Sequence, residues 1–170
     1  MMKTLSTIIV FLSLAFCVSA EDHTITVLAD KEPVLELTVP VDAQITLIKD
    51  KTVIQTTNMF LYVWPVAGAK TLDEAMARLD DVIKSDVLKF SASVTNQIAL
   101  ADSPARHLIG NGLEADDQDD ATADVVIFKA GNRFFIACVH GEVNEASKER
   151  EPMLKVLRTA RSPQVKHSGK

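Results

Sequence analysis

The sequence VVIFKAGNRFFIACV, residues 125–139, decides the fold, because it places two apolar runs on either side of a turn. The tripeptide Ala130-Gly131-Asn132 is typical of a β-hairpin turn. The flanking runs predict two strands, Asp124–Lys129 and Arg133–His140. Successive side chains of a strand point to opposite faces, and in these two strands both faces are apolar. The hairpin is therefore predicted to lie at the centre of a sheet that is covered on both sides.

Further strands are predicted on both sides of this hairpin, where short apolar or alternating runs lie between turn-forming residues. In chain order they are Thr24–Ala29, Val34–Val39, Gln44–Lys49, Thr52–Thr57, Met59–Trp64, Ser93–Leu100 and Arg106–Leu113. The pair Asp50-Lys51 is suited to a tight hairpin turn between the third and fourth strands. Because proline cannot donate to a ladder, Pro40 is expected to end the second strand and Pro65 to end the fifth.

A long amphipathic helix is predicted from Thr71 to about Phe90. Thr71 and Glu74 match the S/T-x-x-E capping box, in which each side chain satisfies the other residue's free backbone N–H. Apolar residues then recur at helical spacing and form one stripe. They are Leu72, Ala75, Met76, Leu79, Val82, Ile83, Val87 and Phe90. A helix with one apolar face packs against a sheet, so this helix is predicted to cover one side of it.

A second helix, at the C-terminal end, is predicted to cover the other side of the sheet. Its apolar stripe consists of Met153, Leu154, Leu157 and Ala160. Pro152 is placed in its first turn, where a missing N–H costs little. Residues 163–170 are polar and basic and predict a flexible tail. The predicted fold is of the α+β class, a helix–sheet–helix sandwich with a mainly antiparallel central sheet.

This order of elements is similar to that of the PsbP-like (Mog–PsbP) family, in which an antiparallel sheet lies between helices. The matching pieces are Val34–Pro40, the helix from Thr71 to about Phe90, the hairpin Val125–Val139 and the closing segment Met153–Ser162. The family includes photosystem accessory proteins, a binding partner of a nuclear GTPase and exported bacterial proteins. It has no shared catalytic motif. The resemblance therefore implies a non-enzymatic accessory or binding role.

Residues 1–20 have the three parts of a secretory signal peptide. Lys3 supplies the positive end, the run from Ile8 to Val18 is apolar, and Val18-Ser19-Ala20 fits a cleavage site. The apolar run is shorter than the roughly 20 residues that a membrane anchor needs. The sequence therefore predicts a protein that is secreted or periplasmic after cleavage following Ala20.

A lipoprotein is the alternative at this end of the chain, because Leu14-Ala15-Phe16-Cys17 faintly resembles a bacterial lipobox. The residue before a lipidated cysteine is normally small, whereas Phe16 is bulky. The sequence favours a soluble mature protein without a membrane-inserted segment. Its length is suited to one domain, predicted over residues 21–162.

The composition of the mature chain narrows the class of protein. The full chain has 18 basic and 23 acidic residues, and Lys3 is the one charged residue among residues 1–20. The remaining 150 residues thus carry 17 basic and 23 acidic side chains, a net charge of −6. Nucleic acids and anionic membranes require a basic face, so neither is expected as a partner. Cys138 is the only cysteine after Ala20, so no intramolecular disulfide can form.

The segment Gly110–Ala115 matches G-x-G-x-x-A, the dinucleotide-binding fingerprint. That chemistry needs a helix N-terminus facing a pyrophosphate. Here Glu114, Asp116 and Asp117 would repel phosphate, and no helical stripe follows. The segment is interpreted as a turn, and no cofactor is predicted.

Residues 114–120 form an acidic loop, which is a candidate metal site. Its aspartates are Asp116, Asp117, Asp119 and Asp120. Carboxylates gathered at a loop tip can supply oxygen ligands to calcium. An EF-hand register that starts at Asp117 fails, because Thr122 stands where glycine is needed and Phe128 where glutamate is needed. A solvated turn and a divalent-metal site are the two interpretations.

Cys138 and His140 lie two residues apart on one predicted strand and therefore share a face. A cysteine beside a base can act as a nucleophile, and His107 on another predicted strand adds a second histidine. Phe134 and Ile136 continue the face of Cys138, however, which predicts a buried cysteine in the core. The chain contains no G-x-S-x-G, H-E-x-x-H, C-x-x-C or P-loop motif.

From the sequence we predict an exported, non-enzymatic protein that binds another protein or acts as an accessory to one. Two alternatives are kept. The first is a divalent-metal protein that uses the acidic loop, and the second is a hydrolase whose site is assembled from His107, Cys138 and His140.

Overall fold

The computed structural model describes residues 21–100, 103–142 and 145–163. The predicted signal peptide, residues 1–20, and residues 164–170 of the predicted tail lie outside the described residues. The elements are β1 (His23–Ala29), β2 (Glu32–Val39), β3 (Gln44–Ile48), β4 (Lys51–Thr56), β5 (Met59–Val66), α1 (Leu72–Met76), α2 (Leu79–Ile83), β6 (Val87–Leu100), β7 (Ser103–Glu114), β8 (Asp120–Ala130), β9 (Arg133–Gly141) and α3 (Glu145–Leu157). Among the described helices, none is long and apolar enough to cross a membrane.

Seven of the strands in the described residues form one sheet, and all neighbouring pairs in it are antiparallel. The strand order is β3-β4-β5-β9-β8-β7-β6, so β3 and β6 are the edges. The remaining strands, β1 and β2, form a separate antiparallel hairpin. The α+β class and the antiparallel sheet predicted from the sequence are confirmed.

The β8–β9 hairpin lies near the middle of the sheet, and its side chains are buried on both faces. Phe128 and Phe135 belong to the cluster that packs under β1, β2 and α3. Ile127 and Ile136 belong to the cluster on the other face, under α1 and α2. None of the four has any exposed surface. The burial of both faces, predicted from the two apolar runs, is confirmed.

The prediction of one long helix from Thr71 to about Phe90 is wrong. The chain instead forms two five-residue helices, α1 and α2, separated by a turn. Ala75, Leu79 and Ile83 are buried against the sheet, so the apolar stripe does face the core over this part. The prediction missed the break at Ala77 and Arg78 and wrongly continued the helix beyond Ile83.

The predicted N-terminal cap is present, but the reciprocal half of the capping box is not. Thr71 Oγ1 accepts a hydrogen bond from Glu74 N at 3.1 Å, whereas Glu74 Oε2 accepts one from Lys70 N at 2.8 Å. After α2 the chain enters the 14-residue strand β6, which pairs with β7 over most of its length. Val87 and Phe90 suit a strand as well as a helix, and the ladder with β7 decides between them.

The helix α3 begins at Glu145, so the placement of Pro152 in a first turn is wrong, and the proline lies inside the helix. The residues before Pro152 are mostly polar or charged and show little apolar periodicity, so the sequence signal for them is weak. Tertiary contacts stabilise this part instead. Ala146 is buried against the sheet, and Arg150 forms two hydrogen bonds with Asp124. These contacts offset the roughly 3 kcal/mol that an internal proline costs a helix.

Several strand boundaries also differ from the prediction, and two of these differences involve a predicted turn or a predicted stop. The turn between β3 and β4 is Lys49-Asp50 rather than Asp50-Lys51, with a positive φ of 53° at Lys49. The strand β5 continues through Pro65 to Val66, where it still pairs with β9. Pro65 is the penultimate residue of β5, where a single missing N–H interrupts little of the ladder.

The interpretation of Gly110–Ala115 as a turn is wrong, because this segment up to Glu114 lies in β7. Glycine is needed there for close approach rather than for a turn. The strand β6 has two register shifts in this region, which bring its backbone against Gly110. A Cβ atom on Gly110 would lie 2.2 Å from the backbone oxygen of Ser91.

Gly110→Ala is expected to lower the free energy of unfolding by about 1–3 kcal/mol, because the added methyl group overlaps the backbone of a paired strand. Asn111→Ala is the matched control, since Asn111 is the exposed neighbour in the same strand. It should change stability by less than about 0.5 kcal/mol. Urea unfolding followed by circular dichroism measures both. Equal stability of Gly110→Ala and the wild type would show that β6 moves away at little cost.

Candidate functional site

A buried charged network joins the sheet to α3. His107 on β7 and Asp124 on β8 lie on the face covered by α3, with His107 Nε2 2.6 Å from Asp124 Oδ1. Arg150 on α3 donates from Nε to Asp124 Oδ1 at 2.8 Å and from Nη2 to Asp124 Oδ2 at 3.1 Å. The side chains of His107 and Asp124 are only 6% and 1% exposed.

Asp124 is a buried carboxylate that stays negatively charged and has a structural role. Burial alone would raise the pKa of Asp124, but hydrogen bonds from His107 and Arg150 outweigh it and hold that pKa below its usual range. The aspartate therefore stays charged and holds both donors at once. His107, predicted to lie on a strand, is buried there and bonded to Asp124.

Cys138 lies on the opposite face of the sheet from His107, in the cluster under α1 and α2. It has no exposed surface and forms no disulfide. Burial, with a smaller effect of nearby carboxylates such as Asp86, raises the pKa of the Cys138 thiol well above its usual value. A thiol that stays protonated and inaccessible is a core side chain rather than a nucleophile. The predicted shared face of Phe134, Ile136 and Cys138 is confirmed.

We expect Cys138 to resist iodoacetamide in the native protein at neutral pH and to be alkylated rapidly once a denaturant is added. The reason is that reaction requires an accessible thiolate, and the fold removes both the access and the charge. Intact-mass spectrometry of timed samples measures the labelled fraction. Rapid labelling without denaturant would contradict the burial and revive the thiol as a reactive group.

The aromatic side chains of β5 continue the same face toward the sheet edge. The Tyr62 ring stacks on Trp64 with a centroid distance of 5.8 Å, and Trp64 is 3% exposed. Lys51 Nζ lies 4.9 Å from the centroid of the Tyr62 ring and is paired with Asp86. Burial, reinforced by the charge of Asp86, raises the pKa of the Tyr62 hydroxyl. This arrangement packs the aromatic side chains rather than exposing them to a ligand.

In the hydrolase alternative, His107 lies across the sheet from the other two residues, and His140 shares the face of Cys138. Its ring stacks on Tyr62 with a centroid distance of 4.9 Å, and its Nδ1 is 3.2 Å from Glu114 Oε1. The Nε2 atom is buried without a hydrogen-bond partner among the described residues. Because His107 faces α3 and Cys138 faces α1 and α2, the sheet itself separates them. The geometry therefore does not bring His107, Cys138 and His140 together in one site.

The acidic loop lies at the turn between β7 and β8, as predicted. Its aspartates are Asp116, Asp117, Asp119 and Asp120. Asp116 Oδ1 accepts a hydrogen bond from Asp117 N at 3.0 Å, and Asp117 Oδ1 accepts one from Asp119 N at 3.1 Å. In the described part of the chain, no three His, Cys, Asp or Glu side chains are grouped so that they could hold a metal ion. Calcium binding by this loop stays a prediction, which calorimetric titration decides.

A surface groove, which the sequence did not predict, runs beside α3. It has a volume of about 480 Å³ and lies between α3, the end of β2 and the β4–β5 turn. Its floor is apolar and includes Pro40, Met59, Pro152 and Val156. Its rim carries both signs of charge, from Asp22, Asp42, Glu151, Lys155 and Arg158. We call this surface, with the depression described next, the α3 groove.

The second depression has a volume of about 530 Å³ and shares Asn58, Met59 and Pro152 with the first. It lies where β5 separates from β9, since their pairing begins only at Tyr62. The Phe60 N–H there donates to Glu149 Oε2 on α3 at 3.0 Å. Burial raises the pKa of the Glu149 carboxyl. The opening between the strands therefore extends the groove along the helix.

The β4–β5 turn at one wall of the α3 groove is held in place by hydrogen bonds. Asp42 Oδ2 accepts from Thr57 N at 3.0 Å and from Thr57 Oγ1 at 2.8 Å, and these bonds lower the pKa of Asp42. The groove could not be read from the sequence, because its lining residues come from segments about a hundred positions apart. The one local signal was Pro152, which was assigned to a helix start.

The fold defines the class of protein: this chain is an α+β protein with the PsbP-like fold. No family model and no curated protein sequence matches the chain. The likeness lies in solved structures alone, so it is a likeness of fold.

Cyanobacterial PsbP (CyanoP) from Synechocystis has 12% sequence identity and a TM-score of 0.53, over 85% of this chain and 94% of that chain. A Bacteroides thetaiotaomicron protein has 11% identity and a TM-score of 0.52, over 77% of this chain and 46% of that chain. The chain thus spans about half the length of the Bacteroides protein. LpqN from Mycobacterium tuberculosis, described as involved in cell envelope biogenesis, has 12% identity and a TM-score of 0.48, over 83% and 91%.

Proposed function

We propose that this protein is an exported, non-enzymatic accessory protein that acts by binding another protein at the α3 groove. Export rests on the signal pattern of residues 1–20 with cleavage after Ala20. The accessory role is what the PsbP-like resemblance implies. The finer arrangement of the fold, a helix–sheet–helix sandwich, is part of the same proposal.

The α3 groove is the observation that carries the proposal. It has an apolar floor and a charged rim, which is the anatomy of a protein-binding surface. The reactive groups considered from the sequence do not line this groove. Cys138 lies inside the core, and His107 and Asp124 are bound to each other under α3.

The charges of the rim indicate the chemistry of the occupant. Lys155 and Arg158 line the groove together with Asp22, Asp42 and Glu151, and Lys155 Nζ lies 3.8 Å from Asp22 Oδ2. A small anion or cation would need one sign of charge, whereas a polypeptide segment presents both signs around an apolar centre. The proposed occupant is therefore a segment of another protein with apolar side chains between charged flanks.

The test combines capture with a charge-reversed groove. The tagged mature protein captures proteins from a native extracellular or periplasmic extract, and the captured protein is then purified and titrated by calorimetry. A double variant carrying Lys155→Glu and Arg158→Glu should bind it at least tenfold more weakly than the wild type. Lys84→Glu is the matched control, an exposed lysine on α2's side of the sheet, and should bind as the wild type does.

Two results would overturn the proposal. One is that no purified protein binds the wild type, or that the double variant binds as tightly as the wild type does. The other is hydrolytic activity in a substrate screen that is lost in His107→Ala, which would restore the hydrolase alternative.

A further inference from the structure

The two edge strands of the seven-stranded sheet differ in how they are protected from further pairing. Exposed edges invite pairing with another strand, and proteins prevent this with bulges, charges and polar side chains. The edge strand β6 has two register shifts. Five of the seven residues in its middle part are polar: Ser91, Ser93, Thr95, Asn96 and Gln97. This edge is therefore built to stay unpaired.

The other edge, β3, lacks bulges and charged residues, although it includes the polar residues Gln44 and Thr46. Its register with β4 is continuous over all five residues, and it contains no proline or charged residue. All five residues of β3 are exposed, so both faces of this strand are open to solvent. Ile45, Leu47 and Ile48 are 40%, 54% and 45% exposed. An apolar strand with a free row of backbone N–H and C=O groups is a template for an added strand.

We propose that β3 pairs in antiparallel fashion with β3 of a second copy of this chain, joining two sheets across a twofold axis at Thr46. An isologous contact of this kind requires a strand that is complementary to itself. The register centred on Thr46 overlaps all five residues of β3. This inference concerns a different surface from the α3 groove and does not depend on the proposed function.

The side-chain pattern of β3 fits this register. Ile45 lies opposite Leu47 of the second copy, and Leu47 lies opposite Ile45 of the second copy. Because Ile45 and Leu47 share a face, the four side chains form one apolar strip across the axis. Cross-strand apolar pairs of this kind stabilise a sheet. At the centre, Thr46 of one copy lies opposite Thr46 of the second copy, and their two hydroxyl groups can form a hydrogen bond.

The size of the contact determines its strength. Five strand residues form a strip only about 17 Å long. A standard stable interface buries about 800 Å² on each partner, and so short a strip falls below it. The net charge of each mature chain adds repulsion. The dimer is therefore expected to dissociate on dilution and to form at high protein concentration.

Sedimentation velocity of the mature chain tests the dimer over a wide concentration range. The wild type should shift from monomer to dimer as concentration rises. Leu47→Lys places a charge in the apolar strip and should stay monomeric at every concentration. Val94→Lys is the matched control, because Val94 is a 42% exposed apolar residue on the opposite edge strand, and it should dimerise like the wild type.

A cross-linking experiment tests the register. The mature chain has one cysteine, which is buried, so Thr46→Cys adds a single accessible thiol. Directly opposite strand residues have Cα atoms about 4.5–5.5 Å apart, within the range of a disulfide. Thr46→Cys should form a disulfide-linked dimer on mild oxidation much faster than Val94→Cys. Equal rates, or a wild type that stays monomeric at the highest concentration, would overturn the inference.

Discussion

Replacing Asp124 with alanine is expected to lower the free energy of unfolding by about 3–5 kcal/mol, the usual loss when one member of a buried charged group is removed. The Asp124 side chain is 1% exposed and is bonded to both His107 and Arg150. Without it, His107 remains buried with its acceptor gone, and α3 loses one of its polar contacts with the sheet. Small domains have a free energy of unfolding of about 5–15 kcal/mol, so this loss is a large share of the total stability.

Asp120→Ala is the matched control, because Asp120 begins the same strand but is exposed. Its stability should stay within about 0.5 kcal/mol of the wild type. Urea unfolding, followed both by circular dichroism and by Trp64 fluorescence, measures the two variants. A loss below about 1 kcal/mol for Asp124→Ala would mean that Arg150 and His107 find water or other acceptors, and that the network does not hold α3 in place.

The pH dependence of stability should show the same network. The pKa of Asp124 is lowered in the folded protein, so the unfolded chain, with a pKa of about 3.9, takes up a proton first as the pH falls. The stability that Asp124 contributes is therefore complete above the unfolded pKa and is lost as the pH falls toward the folded pKa. Wild-type stability should thus fall more steeply below about pH 4 than that of Asp124→Asn, which does not titrate there.

The second large effect is expected at the centre of the sheet. Phe135→Ala should lower the free energy of unfolding by about 3–5 kcal/mol, because it removes a buried aromatic ring and leaves a cavity. Phe135 has no exposed surface and stacks on Phe128 with a centroid distance of 5.5 Å. The cavity would lie between the sheet and α3, where both layers are fixed by other contacts and cannot collapse fully.

Phe90→Ala provides the comparison for this prediction. Phe90 is a half-buried phenylalanine on β6, packed at the margin of the other cluster. Its truncation should cost clearly less, since water can fill the space that it leaves. Thermal and urea unfolding of both variants give the difference. Similar losses at Phe90 and Phe135 would contradict the central position of the β8–β9 hairpin.

Local patterns predicted every strand of the described residues, with boundaries shifted by a few residues. The hairpin around Gly131 was clear because two apolar runs flank a turn, and both signals are local. The same holds for the Thr71 cap, where the cap side chain and the N–H that it accepts from are three residues apart.

Less of the candidate site could be predicted from the sequence. Cys138 was correctly assigned to the core, since Phe134 and Ile136 continue its face. Arg150 and its bonds to Asp124 were missed, because the two residues are 26 positions apart and no local pattern joins them. The α3 groove was missed for the same reason.

The sequence by itself determined the α+β class, the central hairpin and the burial of both its faces, because alternation along a strand and turn chemistry act between near neighbours. The tertiary structure alone decided that β6 begins at Val87, that α3 continues through Pro152, and that the backbone of β6 lies against Gly110. Each of these depends on a partner far away in the chain: the β7 ladder, the sheet contacts of Ala146 and Arg150, and the backbone of Ser91. Contacts of that kind outweigh local preference, and no window of sequence contains both sides of them.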